Sequence, residues 1–327
     1  MTADPTRIID IATGYMASKQ LFGAVRIGLF RAIADGHDTV ATAAAATGRP
    51  ERQVQTLLDG AFASGLVTRV GGVYGLEPDA ADYFTGGARD LTAFMNFLEV
   101  GSFRAFDDHW QRTVDTDEGG TLDWGDTAFV TAFMAGVNQY NRLQSYWFGE
   151  AFAATAAGRT RMLDFYGFTA DWSLELLART PGLTTRYVYS EQAVPQIRAA
   201  VEAAGMMDRA SVEAGDVLET IPGGDHDLII APHVIHQRSD AENRRILAHL
   251  RASAAPGAIL GLFDFFLDTL PQQRAVDARH AAEYFNFDGT VVYPETRVVS
   301  WLEAAGWSFT GYVDVPGSPR VLTATTV

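Results

Sequence analysis

The sequence predicts an α/β protein in which a helical N-terminal region precedes a doubly wound, mostly parallel sheet. Two observations support this prediction. Apolar residues recur at helical spacing over about the first 155 residues, and beyond Gly158 short apolar runs alternate with helical segments. Apolar strands separated by helices are typical of a parallel sheet that helices cover on both faces. We therefore expect two domains in the 327 residues, with bounds at 1–157 and 158–327.

The N-terminal region begins with an apolar stripe from Ile8 to Ile33, whose helical spacing predicts two helices broken near Lys19. "DTVATAAAATG" predicts a short helix, and the residues from Glu51 to Ser64 predict a second one. The Gly71-Gly72 pair between two β-rich runs is a strong hairpin signal. Helix, turn, helix and hairpin in this order form the layout of a winged helix.

A long helix from Asp126 to Phe152 closes this region, and its few charges indicate burial on several sides. Beyond it, seven predicted strands alternate with helices. "PGSP" alone separates the last two strands, which predicts an antiparallel hairpin at one edge of the sheet. The predicted strands are RMLDFY, TTRYVYS, ASVEAG, DLIIAP, GAILGLFDFF, SFTGYVDV and RVLTATT, and the predicted helices include DWSLELLART, EQAVPQIRAAVEAAG, DAENRRILAHLRASA and ETRVVSWLEAAG.

The composition argues against several classes of protein. The formal net charge is −15, and no run of Lys and Arg is present. Nucleic-acid binders draw most of their affinity from neutralising phosphates, so we expect no nucleic-acid partner. The second helix of the winged-helix layout agrees, because Arg52 is its only cation. No apolar run approaches the roughly 20 residues of a membrane helix. The chain has no cysteine and shows no secretory signal, which together indicate a cytoplasmic location.

The turn after the first strand of the sheet carries bulky residues where nucleotide-binding turns are usually rich in glycine. In "RMLDFYGFTADWSLELL", Arg161 to Leu177, a predicted strand turns directly into a helix. Glycine lets the backbone approach a bound nucleotide, because any Cβ would occupy that space. Gly167 is the only glycine between Tyr166 and Ala170.

Three segments, from the winged-helix layout, the fourth and fifth strands and the last helix, carry a resemblance to a known family: "GLFRAIADGHDTVATAAAATGRPERQVQTLLDGAFASGLVTRVGGVYGLEPDA", "GDVLETIPGGDHDLIIAPHVIHQRSDAENRRILAHLRASAAPGAILGLFD" and "VVSWLEAAGWSFTGYV". Over nearly its whole length the chain resembles the class I small-molecule O-methyltransferases that carry a winged-helix dimerisation domain. The resemblance implies a Rossmann-like methyltransferase fold, with a mostly parallel seven-stranded sheet and an antiparallel edge hairpin. It also implies a homodimer, S-adenosylmethionine as cofactor, and an aromatic or polyketide-like small molecule of natural-product biosynthesis as substrate.

The positions that the resemblance assigns to the cofactor depart from the family pattern. Asp164 keeps the acidic residue that ends the first strand, and Asp216 keeps the one that faces the adenine, but Tyr189 replaces the acid that holds the ribose hydroxyls. Tyr166 and Phe168 add bulk at the end of the cleft where the methionine part of the ligand should lie, so we expect that no cofactor is bound, with bound S-adenosylmethionine as the alternative. The degenerate cleft comprises Asp164, Tyr166, Gly167, Phe168, Tyr189 and Asp216.

His236, in "PHVIHQRSD", matches the general base of the family and follows the fourth strand, at the edge of the sheet where ligands bind. Histidine suits this role because its pKa lies near neutral pH. Asp264 ends the fifth strand and is the second catalytic candidate, able to orient His236 or a substrate hydroxyl. On a helix, His233 would share a face with His236, and either Asp264 or Asp268 could complete a two-histidine, one-acid metal site. That spacing is common by chance, and we predict no metal.

Two segments supply further candidates for contact with the substrate. The long helix covers the substrate in the family, and "HAAEYFNFDG" resembles a segment that faces it. The substrate candidates are His233, Phe133, Met134, Asn138, His280 and Asn286.

Three functions remain open at this point. The altered turn favours a repurposed enzyme of natural-product biosynthesis that does not methylate and uses His236 as acid or base in a cyclisation, elimination or rearrangement. The alternative is a genuine S-adenosylmethionine-dependent O-methyltransferase. The third possibility is a non-catalytic dimeric protein that binds a small molecule.

Overall fold

The computed structural model describes residues 3–268, 273–317 and 319–327, which form two compact units. The helical unit comprises the chain up to Asp107 together with Asp123–Tyr140. The sheet unit comprises Asp108–Leu122 and the described residues from Asn141 to the C-terminus. The predicted domain boundary near residue 158 lies just after the long helix and stays a prediction.

The helical unit contains the predicted pair of helices followed by a hairpin. The hairpin strands pair antiparallel from Val67↔Leu76 to Val70↔Val73, and Gly71 and Gly72 both have positive φ, as a tight two-residue turn requires. The elements are α1 (Thr6–Arg26), α2 (Leu29–Ala34), α3 (Val40–Thr47), α4 (Glu51–Ala63), β1 (Val67–Val70), β2 (Val73–Leu76), α5 (Pro78–Tyr83), α6 (Thr92–Phe97), a π-helical turn (Leu98–Phe103), and α7 (Arg104–Thr116) and α8 (Thr127–Ala156), which both continue into the sheet unit.

The break in the first helical stripe was predicted at the wrong residue. α1 passes through Lys19 without interruption and ends at Arg26, and Gly28 separates it from α2. Gly28 has a φ of 72°, a left-handed conformation that glycine adopts at little cost and that ends a helix. Lys19 is an ordinary helix former, so its charge does not interrupt the backbone.

The sheet unit contains all seven predicted strands. Its elements are β3 (Arg161–Phe165), α9 (Asp171–Arg179), β4 (Thr184–Tyr189), α10 (Val194–Ala203), β5 (Ala210–Ala214), β6 (His226–Ile230), α11 (Asp240–Ala252), β7 (Ala254–Asp264), α12 (Ala275–Asp288), α13 (Glu295–Ala304), β8 (Trp307–Val313) and β9 (Arg320–Thr326).

The strand order is β5-β4-β3-β6-β7-β9-β8. The first five strands in this order pair parallel, and β9 runs antiparallel to both β7 and β8. The predicted edge hairpin is therefore present, although its connection includes Ser318, which lies outside the described residues. The chain order reverses between β3 and β6, and in open α/β sheets the crevice at such a reversal is the usual ligand site.

Helices cover both faces of the sheet, which explains why its central strands β3, β6 and β7 are largely apolar. Alternate residues of β3 show the two faces: Leu163 belongs to the cluster that contains α11 and α13, and Met162 to the cluster that contains α8 and α9. Phe148 and Phe152 of α8 are fully buried in the second cluster. Within the described ranges, no helix has the length and apolar character needed to cross a membrane.

Candidate functional site

The candidate site lies at the carboxyl ends of β3, β6 and β7, beside the reversal in strand order. His236 belongs to a short 3₁₀ turn, Ile235–Gln237, that follows β6, and Asp264 is the last residue of β7. Because parallel strands end at the same edge, these two residues meet although 28 positions separate them.

His236 and Asp264 form a close pair. The Nδ1 atom of His236 lies 2.9 and 3.0 Å from the two carboxylate oxygens, and the backbone N–H of His236 donates to Asp264 Oδ2. Burial works to raise the pKa of Asp264, but its interactions with His236 and His233 together outweigh burial and lower this pKa. An ionised Asp264 holds the proton on Nδ1 and leaves Nε2 of His236 as the proton acceptor.

His233 does not share a helix face with His236. It follows β6 with a φ of 56°, and its backbone N–H donates to the carbonyl of Phe263. Its buried ring contacts Gln144 through an Nε2–Oε1 distance of 3.2 Å, and burial lowers the pKa of His233 to about 4. His233 is therefore neutral near pH 7. Sequence reasoning missed Gln144, because nothing in the pattern of α8 relates it to a histidine 89 positions away.

His233, His236 and Asp264 have ligand atoms within 4.8 Å of one another. Each of these side chains already has a protein partner, since Asp264 pairs with His236 and Gln144 pairs with His233. Asp268, the other acid considered, pairs with Arg320. The predicted absence of a metal stays a prediction.

The turn after β3 has the left-handed backbone that glycine adopts readily at two bulky residues. Tyr166 and Phe168 have φ angles of 62° and 63°, a region that costs ordinary L-residues roughly 1–2 kcal/mol each. Gly167 between them lies so close to Pro232 that a Cβ would approach its ring to 2.9 Å. The carbonyl of Gly167 also accepts a hydrogen bond from the buried indole of Trp172. These contacts hold the turn in its strained path.

The side chain of Tyr166 bridges the ends of β3 and β5. Its hydroxyl donates to the carbonyl oxygen of Gly215 at 2.5 Å, and its ring lies parallel to that of Tyr189 with the centroids 6.1 Å apart. Burial and the nearby charge of Asp216 raise the pKa of Tyr166, so the hydroxyl stays protonated and donates. Phe168 points outward and is 54% exposed.

Tyr189 is fully engaged inside the protein. Its hydroxyl donates to Asp164 Oδ1 at 2.9 Å and accepts from the backbone N–H of Gly167 at 3.1 Å. The other oxygen of Asp164 accepts from the hydroxyl of Ser173 in α9, a partner that sequence reasoning missed. Burial raises the pKa of Asp164 to about 7. Neither Tyr189 nor Asp164 is therefore positioned to hold ribose hydroxyls.

The backbone of the turn is compatible with S-adenosylmethionine, whereas one side chain is not. Tyr166 and Phe168 have the positive φ angles that glycine adopts readily, and the exposed Asp216 follows β5, where the resemblance places the adenine contact. Tyr166, however, reaches from the turn, where the resemblance places the methionine part of the cofactor, to Gly215 beside the adenine position.

Besides His233, the substrate candidates of the sheet unit are His280 and Asn286, which lie on α12. The ring of His280 stacks on Phe265 at a centroid distance of 3.9 Å, and burial lowers the pKa of His280. Tyr284, one turn later, contacts the His236 ring at 4.6 Å. Asn286 is fully buried and accepts a hydrogen bond from Thr113, so it does not lie at an open surface as a residue facing a substrate would.

The other candidates belong to the helical unit. Phe133 packs edge to face on Phe97 and Trp124. Met134 and Asn138 are exposed on α8. Their roles toward a substrate stay predictions.

No family model matches the chain. The 3-hydroxy-5-methyl-1-naphthoate 3-O-methyltransferase of Streptomyces sahachiroi is 25% identical over 276 residues, which cover 81% of this chain and 78% of that protein. The structure of the pyocyanin biosynthetic protein PhzM matches with a TM-score of 0.86 at 18% identity, covering 98% of both chains. CalO1, a methyltransferase in calicheamicin biosynthesis crystallised in its SAH-bound form, matches with a TM-score of 0.86 at 16% identity over 100% of both chains.

These comparisons confirm the resemblance to the class I O-methyltransferases and the fold that it implies. They contradict the expectation that no cofactor is bound, because structures of this fold contain S-adenosylmethionine or its demethylated product SAH. The expectation failed because it inferred a lost site from bulky side chains, whereas Tyr166 and Phe168 have the positive φ angles that glycine adopts readily. They also support the methylating alternative over a cyclisation, elimination or rearrangement, since these relatives are named as O-methyltransferases.

Proposed function

We propose that this chain, a relative of the class I O-methyltransferases, transfers a methyl group from S-adenosylmethionine to a hydroxyl of a small aromatic molecule in natural-product biosynthesis. The observation that carries the proposal is the His236–Asp264 pair at the switch point of a methyltransferase sheet. It gives the site an oriented base at the edge where ligands of such sheets bind.

In this proposal His236 activates the substrate. Asp264 fixes the Nδ1–H tautomer, and Nε2 takes the proton of the substrate hydroxyl as that oxygen becomes nucleophilic. The buried carboxylate then stabilises the imidazolium that forms. S-adenosylmethionine, when bound, would supply the methyl carbon to which the oxygen bonds.

The aromatic surroundings of His236 support an aromatic substrate. The ring of Tyr284 contacts the ring of His236. It also contacts the rings of Phe265 and His280, which extend the aromatic cluster. Flat rings of this kind favour another flat ring by stacking or edge-to-face contact. The Streptomyces sahachiroi relative is named for a hydroxynaphthoate, so this class is the first to test.

The test measures methyl transfer from isotopically labelled S-adenosylmethionine to a panel of hydroxynaphthoates and related phenols. We expect the wild type to label at least one of them, and His236→Ala to lower the rate by about 10²- to 10⁴-fold, the usual contribution of a general base. His37→Ala, which changes an exposed histidine of the helical unit, serves as the control and should keep the rate. A His236→Ala variant as fast as the control would refute the base role.

We also propose that the winged-helix layout serves dimerisation rather than DNA binding. α1 exposes Ile8, Ile9 and Ile11, each more than half accessible, and burial of such side chains in a dimer is favourable. On α4, Arg52 is the single cation among residues 51–63, which is too little positive charge for a recognition helix. A cytoplasmic location is part of the same proposal.

A further inference from the structure

We propose that Tyr166 determines how tightly the cleft binds an adenosyl ligand, because its side chain must leave Gly215 before that ligand can enter. The identity of the ligand rests on the proposed function. The blocking position of Tyr166 rests on contacts within the sheet unit.

The side chain of Tyr166 points from the turn toward the end of β5. Tyr166 has a φ of 62°, a left-handed conformation that glycine adopts more readily. The hydroxyl of Tyr166 then reaches Gly215, 49 positions later, at the end of β5. The ring thus spans the carboxyl ends of β3 and β5, across the end of β4 that lies between them.

Hydrogen bonding and a ring contact hold the side chain of Tyr166 in place. A hydrogen bond to the Gly215 carbonyl anchors its outer end, and the backbone of Val217 bonds to the same hydroxyl. The parallel ring of Tyr189 supports its face, and Tyr189 is itself fixed by Asp164 and Gly167. Tyr166 is only partly buried, so it can rotate toward solvent without opening the core, whereas Tyr189 cannot.

Rotation of the Tyr166 side chain would release the carbonyl of Gly215. Gly215 precedes Asp216, an exposed carboxylate whose Oδ1 accepts from the backbone N–H groups of Leu218 and Glu219. Removing the tyrosine ring from this corner frees the Gly215 carbonyl beside the already exposed Asp216, and both groups accept hydrogen bonds. A polar nucleoside edge can use these acceptors. The closed arrangement therefore competes with the ligand for the Gly215 carbonyl.

The test compares binding of S-adenosylhomocysteine by titration calorimetry in the full-length wild type, Tyr166→Phe and Tyr166→Gly. Tyr166→Phe removes the bond to Gly215 and keeps the ring, so its Kd should fall about threefold to tenfold. Tyr166→Gly also removes the ring and restores the residue that the turn geometry suits, so its Kd should fall further. Thermal unfolding of each unliganded variant checks that it is folded.

Tyr293→Phe is the matched control, because Tyr293 also donates its hydroxyl to a backbone carbonyl, that of Arg238. Its Kd should equal that of the wild type. The proposal is overturned if folded Tyr166 variants bind no tighter than the wild type, or if no variant binds S-adenosylhomocysteine. Unchanged affinity with normal methyl transfer would reject the role of Tyr166 alone. Tighter binding without methyl transfer to any acceptor would reject the proposed function alone.

Discussion

Tyr189 shows how one substitution changes the chemistry of the cofactor corner. Its hydroxyl donates to Asp164, which is fully buried and has a raised pKa. A second carboxylate at residue 189 would face this buried acid, and two neighbouring carboxylates resist ionising together. A neutral hydroxyl instead satisfies an oxygen of Asp164. Position 189 can thus hold an acid for the ribose hydroxyls, as the resemblance implies for the family. In this chain it instead holds a tyrosine that bonds to Asp164.

Phe168 allows the strain of the turn to be measured separately from its packing. The residue is more than half exposed and has a φ of 63°, so glycine at this position would lose little contact and relieve an unfavourable backbone. We expect Phe168→Gly to raise the free energy of unfolding by about 1 kcal/mol. Urea unfolding of the full chain measures the change.

Phe62→Gly is the comparison for Phe168→Gly. Phe62 is similarly exposed but lies in α4, where glycine lowers stability by about 1 kcal/mol. If both variants lose stability to the same extent, the turn is not strained at Phe168.

At the scale of elements, the segment from β3 to α9 is tied together by buried polar contacts. Asp164 at the end of β3 accepts from Ser173 in the first turn of α9, and Trp172 donates to the turn itself. This buried acid, whose pKa is raised to about 7, links the strand to the helix without a counter-charge. The element is therefore sensitive to pH, because ionising Asp164 places a charge in the core.

The sign of this dependence follows from the pKa of Asp164, which burial raises from 3.8 to about 7. The stabilising contribution of the protonated acid is complete below about pH 3.8 and is lost as the pH rises through about 7. Relative to Asp164→Asn, we expect the wild type to lose up to about 4 kcal/mol of unfolding free energy between pH 4 and pH 8.

Urea unfolding at a series of pH values measures this loss. Glu202→Gln, an exposed change on α10, should reproduce the wild-type profile. Parallel profiles for Asp164→Asn and the wild type would show that Asp164 does not titrate in this window.

At the scale of the whole molecule, the proposed dimer accounts for apolar surface that the single chain leaves in water. Ile11 is 76% exposed and lies on the same helix as the exposed Tyr15 and Met16. We expect Ile11→Asp to convert a dimer into monomers, because a carboxylate buried against apolar side chains is strongly unfavourable. Analytical ultracentrifugation at micromolar protein concentration measures the mass of the particle.

Ile221→Asp is the control for this change, since Ile221 is also exposed but lies in the sheet unit. It should leave the dimer intact. A wild type that sediments as a monomer would refute the dimer proposal outright.

The order of strands and helices and the place of the base could be predicted from sequence, because both depend on local patterns. Apolar periodicity is set by residues a few positions apart, and His236 and Asp264 could be paired in advance because parallel strands end at one edge. The end of α1 was missed because Gly28, rather than Lys19, has the backbone conformation that stops the helix.

The state of the cofactor corner depended on contacts that no local pattern contains. Tyr166 finds Gly215 49 positions away, Tyr189 finds Asp164 25 positions away, and His233 finds Gln144 89 positions away. The sequence of the turn shows only that bulky residues stand where the family has glycine. Whether Tyr166 and Phe168 disrupt the turn or adopt a left-handed backbone depends on the neighbouring residues that hold this conformation in place. Packing brings those neighbours from distant parts of the chain.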